Sequence, residues 1–452
     1  MNRLRILLLA AEANPESISL ALEGFSHSAA LAKLHDVTLV ARSSNEEVLR
    51  RAQASFHAIE AISMPWIDRI RDWCIRRLFK NNFHSRVLTP FLYPFSLAFE
   101  WSTWRQLRRK IIAGEFDVVL RILPANPVLP SLFPYLLRKL SIPFVVGPIN
   151  GGLPWPEGFS QSNNQKSWID QLRNVYRFLP FARSTYREAA AIIAGSSQTF
   201  AEFSTYREKL FFVAENGVNS SFCSHEIRRT EQKTQLKLIF LGALVPYKAC
   251  DLALRAVASL LRQGLACFTV VGDGPERIQL EQLANSLGIR AAVSFCGMVP
   301  HAEAMQKLRE ADIMVYPSVR EFGGAVVVEA LAAGAVPVVA DFGGPGDIVH
   351  PGVGYKIALT SENEVVESIE KALTELSQNR NLLEQMRQQG TLYAQERLTW
   401  DAKALDTSKV LQWAAKRGPK PDFLPPRLLV AGHKSAGKRS TAYAGSPQPG
   451  QS

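Results

Sequence analysis

Short apolar runs of strand length recur along this chain, and segments with helical periodicity fill most of the gaps between them. "RILLLA" (5–10), "VTLVAR" (37–42), "FDVVLRI" (116–122), "PFVVGP" (143–148) and "AAIIAGS" (190–196) read as strands, with helical patterns at 19–35 and 128–140. The rhythm then repeats. "LKLIFLG" (236–242), "CFTVVGDG" (267–274), "VSFCG" (293–297), "ADIMVYPS" (311–318) and "AVPVVA" (335–340) are separated by helical patterns at 251–263, 275–287, 301–310 and 324–333. Strands that are apolar on both faces, alternating with helices of this length, imply parallel sheets covered on both sides. The fold class expected is α/β, with two Rossmann-like domains facing a central cleft. The join falls near 205–215, giving domains at 1–208 and 209–398. The stretch 361–390 reads as helix and 399–416 as a terminal helix. The tail 417–452, rich in Pro, Gly, Ser and Lys, is expected to be disordered.

Composition narrows the partners. A chain of 452 residues, 47% hydrophobic, has enough apolar material for two cores. Five scattered cysteines without CxxC spacing argue against a disulfide framework or structural zinc and suit a reducing cytosol. The opening "MNRLRILLLAAEANPES" imitates a signal peptide, but Glu12 interrupts a short apolar run, so a buried first strand is the better reading. No apolar run approaches the roughly 20 residues needed to span a bilayer. A formal charge of +11 points to an anionic partner: nucleotide, nucleic acid or membrane surface. Residues 66–110 hold ten Lys/Arg against three acids, interleaved with Trp66, Trp73, Trp101 and Trp104. That mixture suits the headgroup region of an anionic membrane; the alternative is a helical insertion packed on the first domain with solvated arginines. "GHKSAGKR" (432–439) imitates a P-loop, but it ends in Arg and follows no strand.

The most informative polar residue is Glu329, the only charge between Phe322 and Ala340. A carboxylate in such a stretch is paired, neutralised or used on a ligand. It follows a strand and the loop "VREFGG", where an open parallel sheet binds ligands. Gly323 and Gly324 let the backbone approach a ligand, and a helix start offers N–H groups to a phosphate at Gly324, Ala325 and Val326. Glu329 then lies about 7.5 Å along the helix at 1.5 Å per residue, a separation that suits a diphosphate at the tip and a ribose at the acid. The plainer alternative binds Glu329 to a backbone N–H of its own chain.

Glu321 and Glu329 form an E-x7-E pair, and "EFGGAVVVEALAAGAVPVVADFGGPGDIV" (321–349) closely resembles the donor-binding segment of glycosyltransferase family four, which has the GT-B fold. "ENGVN" (215–219), "FLGALVPYKACDLALRAV" (240–257), "VVGDGPER" (270–277) and "CGMVPHAEAMQKLREADIMVYPS" (296–318) resemble other family segments in the family's order, and "VVGPINGGLPWP" (145–156) resembles a loop of one branch. The resemblance covers residues 1 to 415, strongly in the second half. It implies a retaining enzyme that moves a sugar from a nucleotide-sugar donor to a glycan or lipid-linked acceptor in surface or exopolysaccharide biosynthesis, with a C-terminal helix crossing back to the first domain. It implies that Gly242 lies in the phosphate loop and Lys248 contacts the donor diphosphate. Glu329 would hold the ribose, and Glu321 with the Phe322, Gly323, Gly324 and Ala325 backbone the transferred sugar. No DxD occurs in the chain, so no metal is expected, and the diphosphate falls to protein cations and the helix end. The first domain shows no paired carboxylates with evident nucleophile and acid roles, so front-face transfer is expected, with a donor phosphate oxygen helping to take the acceptor's proton.

The chain also departs from the family. Ala243 stands where many members have Arg, and "AEANPES" replaces the usual glycine-rich loop. Arg121 is the nearest counterpart of a common His. Acceptor-side candidates are therefore Arg121, Asn150, Gly151 and Gly152, the last three reading equally well as an ordinary turn. Out of context, Lys248 reads as a solvated loop lysine. His27, on an amphipathic helix, reads as structural, and His301 as the start of a helix. Other classes remain. A non-catalytic sugar-nucleotide-binding subunit is compatible with Ala243 and Arg121. A nicotinamide-dependent oxidoreductase lacks its GxGxxG. Nucleic-acid binding lacks a recognised module and is not expected.

Overall fold

The structure, a computed structural model, describes residues 2–17, 19–78, 89–151, 153, 155–156, 159, 178–223 and 235–426. The P-loop imitation at 432–439 and the candidate Gly152 lie outside these residues, as does most of the tail. Two sheets carry the fold. The first runs β1 (Arg5–Ala10), β2 (Asp36–Arg42), β3 (Ala58–Ile62), β4 (Val118–Leu123), β5 (Phe144–Ile149), β6 (Ala191–Ala194) and β7 (Leu210–Phe212), in the spatial order β3-β2-β1-β4-β5-β6-β7. The second runs β8 (Leu236–Leu241), β9 (Ala266–Val271), β10 (Val293–Gly297), β11 (Ile313–Tyr316), β12 (Val336–Ala340) and β13 (Tyr355–Ile357), in the order β10-β9-β8-β11-β12-β13. Every pairing within both sheets is parallel. Strand order reverses between β1 and β4 and again between β8 and β11. Each reversal splays the flanking connections apart and opens a crevice at the carboxyl ends of the strands.

β1 shows why the sheets are covered twice. Successive side chains alternate between faces. Ile6 and Leu8 pack with Ala404, Val410 and Leu411 of the terminal helix. Leu7 and Leu9 pack with Phe99, Leu107 and Ile111 of the helix Tyr93–Ile112. That helix is thus an integral layer of the first domain. β8 to β12 share one continuous core with the helices Cys250–Arg262 and Ala325–Ala333.

The terminal helix Trp400–Ala414 crosses back onto the first domain, as the resemblance implied. Lys33 pairs with Asp401 at 2.7 Å, His27 meets Thr407 at 2.9 Å, and His35 meets Ser408 at 2.7 Å. The two crossing segments run side by side: Val218 N–H donates to Leu398 O and Trp400 N–H to Val218 O. β7 lies just past the boundary expected at 208 and pairs with β6, so the crossing begins after Phe212.

Other differences have local causes. The helix expected over 128–140 is confined to Phe133–Leu137, since Pro127, Pro130 and Pro134 each remove a donor. The helix expected over 361–390 breaks at Asn379, whose side chain caps the second piece by accepting from Leu382 N–H at 3.0 Å. β3, β7 and β13 are short or half-buried and carry little pattern.

The helix Pro65–Leu78 is turned unusually. Its inner side meets the domain through Ile67, Asp68 and Arg71, with Asp68 on the buried Arg42 at 2.6 Å and Arg71 on Glu12 at 2.9 Å. Its outer side exposes Trp66 (74%), Ile70 (55%) and Trp73 (60%) together with Arg69, Arg76 and Arg77. Among the described residues no helix is long and apolar enough to cross a membrane.

Candidate active site

The crevice beside β8 and β11 is built from two loops held by close backbone contact. After β8 the chain turns through Gly242 and a 3-10 turn, Pro246–Lys248, before the helix Cys250–Arg262 begins. Leu244 N–H donates to Asp273 O at 2.9 Å, and a Cβ at Gly272 would sit 2.0 Å from Gly242 O, so the two loops pack backbone to backbone. The turn is tied to the loop after β11, because Val319 N–H and the Ser318 hydroxyl both donate to Tyr247 O.

That second loop carries Glu321, Phe322, Gly323 and Gly324. Gly324 has φ of 70°, a left-handed value open to glycine at little cost, and serves as the N-cap of the helix Ala325–Ala333. Val327 and Val328 N–H close the first turn onto Gly324 O, which leaves the amides of Ala325 and Val326 ahead of it. The loop rests on Gly343 and Gly344. A Cβ at Gly343 would fall 2.0 Å from Glu321 O, and one at Gly344 2.4 Å from Phe322 O.

Lys248 reaches across this crevice. Its ammonium donates to Glu321 and to the Tyr316 hydroxyl, while Tyr316 OH donates to the same Glu321 oxygen at 2.8 Å. Burial works against the ammonium, but attraction to Tyr316 and Glu321 and hydrogen bonds to both hold the Lys248 pKa above its ordinary value. Burial, reinforced by the Glu321 charge, likewise raises the Tyr316 phenol, so it stays protonated. Further along, Glu329 accepts from His301 Nε2 at 2.8 Å. That hydrogen bond raises the His301 pKa against a smaller opposing effect of burial. His301 begins the helix His301–Glu310. Glu329 is thus bonded to a half-exposed side chain that a ligand can displace, and Ala243 is exposed with no charge to offer.

The first domain closes the crevice from above. Leu153 lies against Gly343, and the Arg320 guanidinium sits over the Trp155 ring at 4.9 Å. Asp347 takes two hydrogen bonds from Ser197, at 2.7 Å from the backbone N–H and 2.6 Å from the hydroxyl. Asn150 donates its amide to Glu215, and Gly151 N–H donates to Thr199 at 2.9 Å.

Arg121 is placed differently from the acceptor-side expectation. It is 2% exposed, pairs with the equally buried Glu100 at 3.2 Å and donates to the backbone at Pro124 and Leu129. A guanidinium spent on an ion pair and two carbonyls inside the domain does not face the cleft. His27 is buried and held near pKa 3 by burial and Lys403, consistent with a structural role.

The structure also brings in groups that the sequence did not single out. Tyr316 was visible only as a strand residue. Glu215 touches the donor loop: a Cβ at Gly323 would lie 3.0 Å from its Oε2 and 2.1 Å from Asn216 Nδ2. Burial, with a contribution from Glu321, pushes Glu215 up to about 7 against the Asn150 hydrogen bond. Glu23, in the first turn of the helix Leu20–Leu34, is raised well above the usual carboxylate range by burial and by Glu215, Glu321 and Glu329. Among the described residues no group of three or more His, Cys, Asp or Glu side chains is placed to hold a metal ion.

Two parallel sheets whose switch points face one cleft, with a terminal helix returning to the first domain, make this a GT-B fold. Anabaena HepE, solved in complex with UDP, superposes with a TM-score of 0.60 at 17% identity over 90% of this chain and 100% of that one. A sucrose-phosphate synthase from Thermosynechococcus elongatus gives 0.61 at 15% over 91% and 99%. The lipopolysaccharide outer core galactosyltransferase WaaB gives 0.59 at 12% over 90% and 99%. Residues 224–392, the segment that carries the Lys248 and Glu321 loops, match the family model described as Glycosyl transferases group 1. An uncharacterized glycosyltransferase of Methanocaldococcus jannaschii is 29% identical over 185 residues, 40% of this chain and 46% of that protein. The D-inositol 3-phosphate glycosyltransferase of Nocardia farcinica is 36% identical over 121 residues, 25% of this chain and 27% of that protein. The chain therefore spans less than half the length of these curated relatives.

Proposed function

We propose that this protein is a retaining, metal-independent glycosyltransferase of family four that moves a sugar from a nucleotide-sugar donor to a glycan or lipid-linked acceptor in surface-polysaccharide biosynthesis. The observation that carries the proposal is the line formed by Lys248, the Ala325 helix start and Glu329. A cation and the helix-start amides sit at one end and a carboxylate with a displaceable histidine partner at the other, which is the charge order of a diphosphate joined to a ribose. The UDP in the Anabaena neighbour and the glycosyltransferase names of the sequence relatives support a nucleotide-sugar donor. The galactosyltransferase neighbour supports a glycan or glycolipid acceptor.

In this reading the donor diphosphate takes Lys248 from Glu321 and docks on the Ala325 and Val326 amides. Glu321, released, accepts hydrogen bonds from the transferred sugar. As the bond from the anomeric carbon to the phosphate oxygen breaks, charge grows on the diphosphate, where a preorganised cation and helix end stabilise it. The acceptor hydroxyl attacks from the face the diphosphate leaves and passes its proton to the departing phosphate oxygen, so configuration is retained and the nucleoside diphosphate leaves. A lipid-linked acceptor lies at an anionic membrane, which the outer face of Pro65–Leu78 meets with Trp66, Ile70, Trp73 and three arginines.

A thermal-shift screen against UDP, GDP, ADP and CMP sugars without added metal tests the donor. A ligand at 100 times its Kd adds about 2.7 kcal/mol. No shift with any of them, or a shift only with divalent metal, overturns the reading.

A further inference from the structure

The first domain grips the donor loop of the second from two sides. On one side is the short helix Gly343–Ile348, which carries the buried Asp347. Ser197 of the first domain donates to both of its oxygens, from the backbone N–H at 2.7 Å and from the hydroxyl at 2.6 Å. The donor loop lies on that same short helix. Gly344 N–H donates to Glu321 O at 3.1 Å, and a Cβ at Gly324 would lie 3.1 Å from Pro345 N. On the other side is the crossing segment. Asn150 donates its amide to Glu215, and Glu215 lies against Gly323.

The two grips share one support. The Ser196 hydroxyl caps the helix Ser197–Glu202, donates to Asn150 Oδ1 at 3.3 Å and meets the Thr199 hydroxyl at 2.9 Å. Gly151 N–H donates to the same Thr199 oxygen at 2.9 Å. The loops after β5 and β6 are thus bonded into one piece, and that piece reaches the donor loop through Asp347 and through Glu215. A carboxylate suits the first task, because two donors on its two oxygens fix its plane and with it the turn that carries Gly344.

We propose that Ser197 and Asp347 are positioning residues, a clamp between the domains that holds the donor loop in register with the first-domain face from which the acceptor approaches. The inference rests on the transferase reading and adds to it how the two halves of the site are aligned. Asp347 acts through the loop and not on the donor. Hydrogen bonds to a charged group shift an equilibrium by about tenfold or more, and a misplacement of about 1 Å can lower a rate about 100-fold. Loss of the clamp frees the Glu321 loop, whereas Lys248, the Ala325 helix start and Glu329 all belong to the second domain and keep their hold on a diphosphate.

The test uses the full chain and amide hydrogen exchange. Ser197→Ala and Asp347→Ala are each expected to speed exchange at least threefold both in 195–202 and in the donor loop 319–326, with β1 and β9 unchanged. Asp347→Ala removes the acceptor for both bonds, so the double variant should exchange no faster than Asp347→Ala alone. Ser197→Thr, which keeps both donors, should match wild type. Calorimetry with UDP-glucose, UDP-N-acetylglucosamine, GDP-mannose and ADP-glucose, each beside its free diphosphate, supplies the second readout. Affinity for the diphosphate should stay within threefold in both single variants, while the preference for the nucleotide-sugar over its diphosphate falls at least threefold. Faster exchange confined to 195–202, independent effects that simply add, or an unchanged preference overturns the clamp and leaves the donor reading intact. Failure of every nucleotide to bind overturns the donor reading, while the exchange result still decides whether Ser197 and Asp347 hold the loop.

Discussion

Lys248 and Glu321, 73 residues apart, form an ion pair across the crevice between β8 and β11, with Tyr316 hydrogen-bonded to both. Both charges are largely shielded, at 15% and 17% exposure, so each depends on the other when the crevice is empty. Lys248→Met strands the Glu321 carboxylate and removes the diphosphate's cation. Charge-assisted hydrogen bonds contribute about 1.5–3 kcal/mol, so donor affinity should fall by about 10- to 150-fold, and Tm should fall as well. Tyr316→Phe leaves the ion pair in place and should cost less on both counts. Calorimetric titration with the donor checks affinity; equal donor affinity in wild type and Lys248→Met would remove Lys248 from the site.

Donor binding should depend on pH through His301. Its pKa is raised by the Glu329 hydrogen bond, so the charged pair is fully formed below the ordinary histidine value near 6.5 and is lost as pH rises through the raised one. A ribose must displace that imidazolium. Donor affinity is therefore expected to rise from pH 6 to pH 8, and the rise should disappear in His301→Asn. A pH-independent Kd in the wild type would show that Glu329 is not where the ribose binds.

How much of this was legible in advance follows from which interactions are local. The strand–loop–helix unit around Glu321–Glu329 was readable because its signals lie within one stretch: an apolar strand, paired glycines and a lone acid. Lys248 was readable only through the resemblance, since nothing near it in sequence reveals that β8 and β11 are neighbours. Glu23 carries no local mark, and Glu215 and Asn216 were marked only as part of "ENGVN", with no role assigned to either side chain. They meet because the crossing segments bring residues 23, 215 and 400 to one pocket, a consequence of topology. Arg121 misled for the converse reason: a charge on a strand suggests a cleft, and its partner Glu100 lies on a helix 21 positions earlier.

The Arg121–Glu100 pair is expected to be structural and catalytically silent. Removing one partner of a buried ion pair costs about 3–5 kcal/mol, and Arg121→Met leaves Glu100 without its cation. Chemical denaturation should show that loss. Arg121→Met/Glu100→Gln, which removes both charges, should recover part of it. Transfer rate per folded molecule should stay near wild type in both; a loss of rate at unchanged stability would return Arg121 to the acceptor site.

Acid should destabilise the fold through His27. Burial, with Lys403 adding to it, lowers its pKa to about 3 in the folded protein, so the unfolded chain takes the proton first. Stability is then complete above the unfolded value near 6.5 and falls as pH drops toward 3, by about 1.4 kcal/mol per pH unit. His35, lowered to about 4 by burial and Arg3, acts in the same direction. His27→Gln should be less stable than wild type at pH 7 yet lose less between pH 7 and pH 5. Parallel denaturation curves for the two proteins at both pH values would refute the assignment.

The helix Pro65–Leu78 makes a claim about place. A helix that packs on a domain turns most of its large apolar side chains inward, as Tyr93–Ile112 does with Phe99, Leu107 and Ile111, although its Trp101 and Ile112 are exposed. Pro65–Leu78 instead spends its inner face on the Asp68–Arg42 and Arg71–Glu12 pairs and shows two tryptophans and an isoleucine outside. Trp66, Ile70 and Trp73 lie four and three positions apart and so share one face. Arg69, Arg76 and Arg77 lie beside them, and each is worth about 1 kcal/mol near an anionic surface. The protein should therefore float with phosphatidylglycerol vesicles at low salt and stay below with phosphatidylcholine. Replacing the three arginines by glutamine should weaken binding most at low salt, whereas Trp66→Ser/Trp73→Ser should weaken it at any salt. Wild-type protein that remains at the bottom of the gradient with anionic vesicles at low salt would mean that this face serves something other than a membrane.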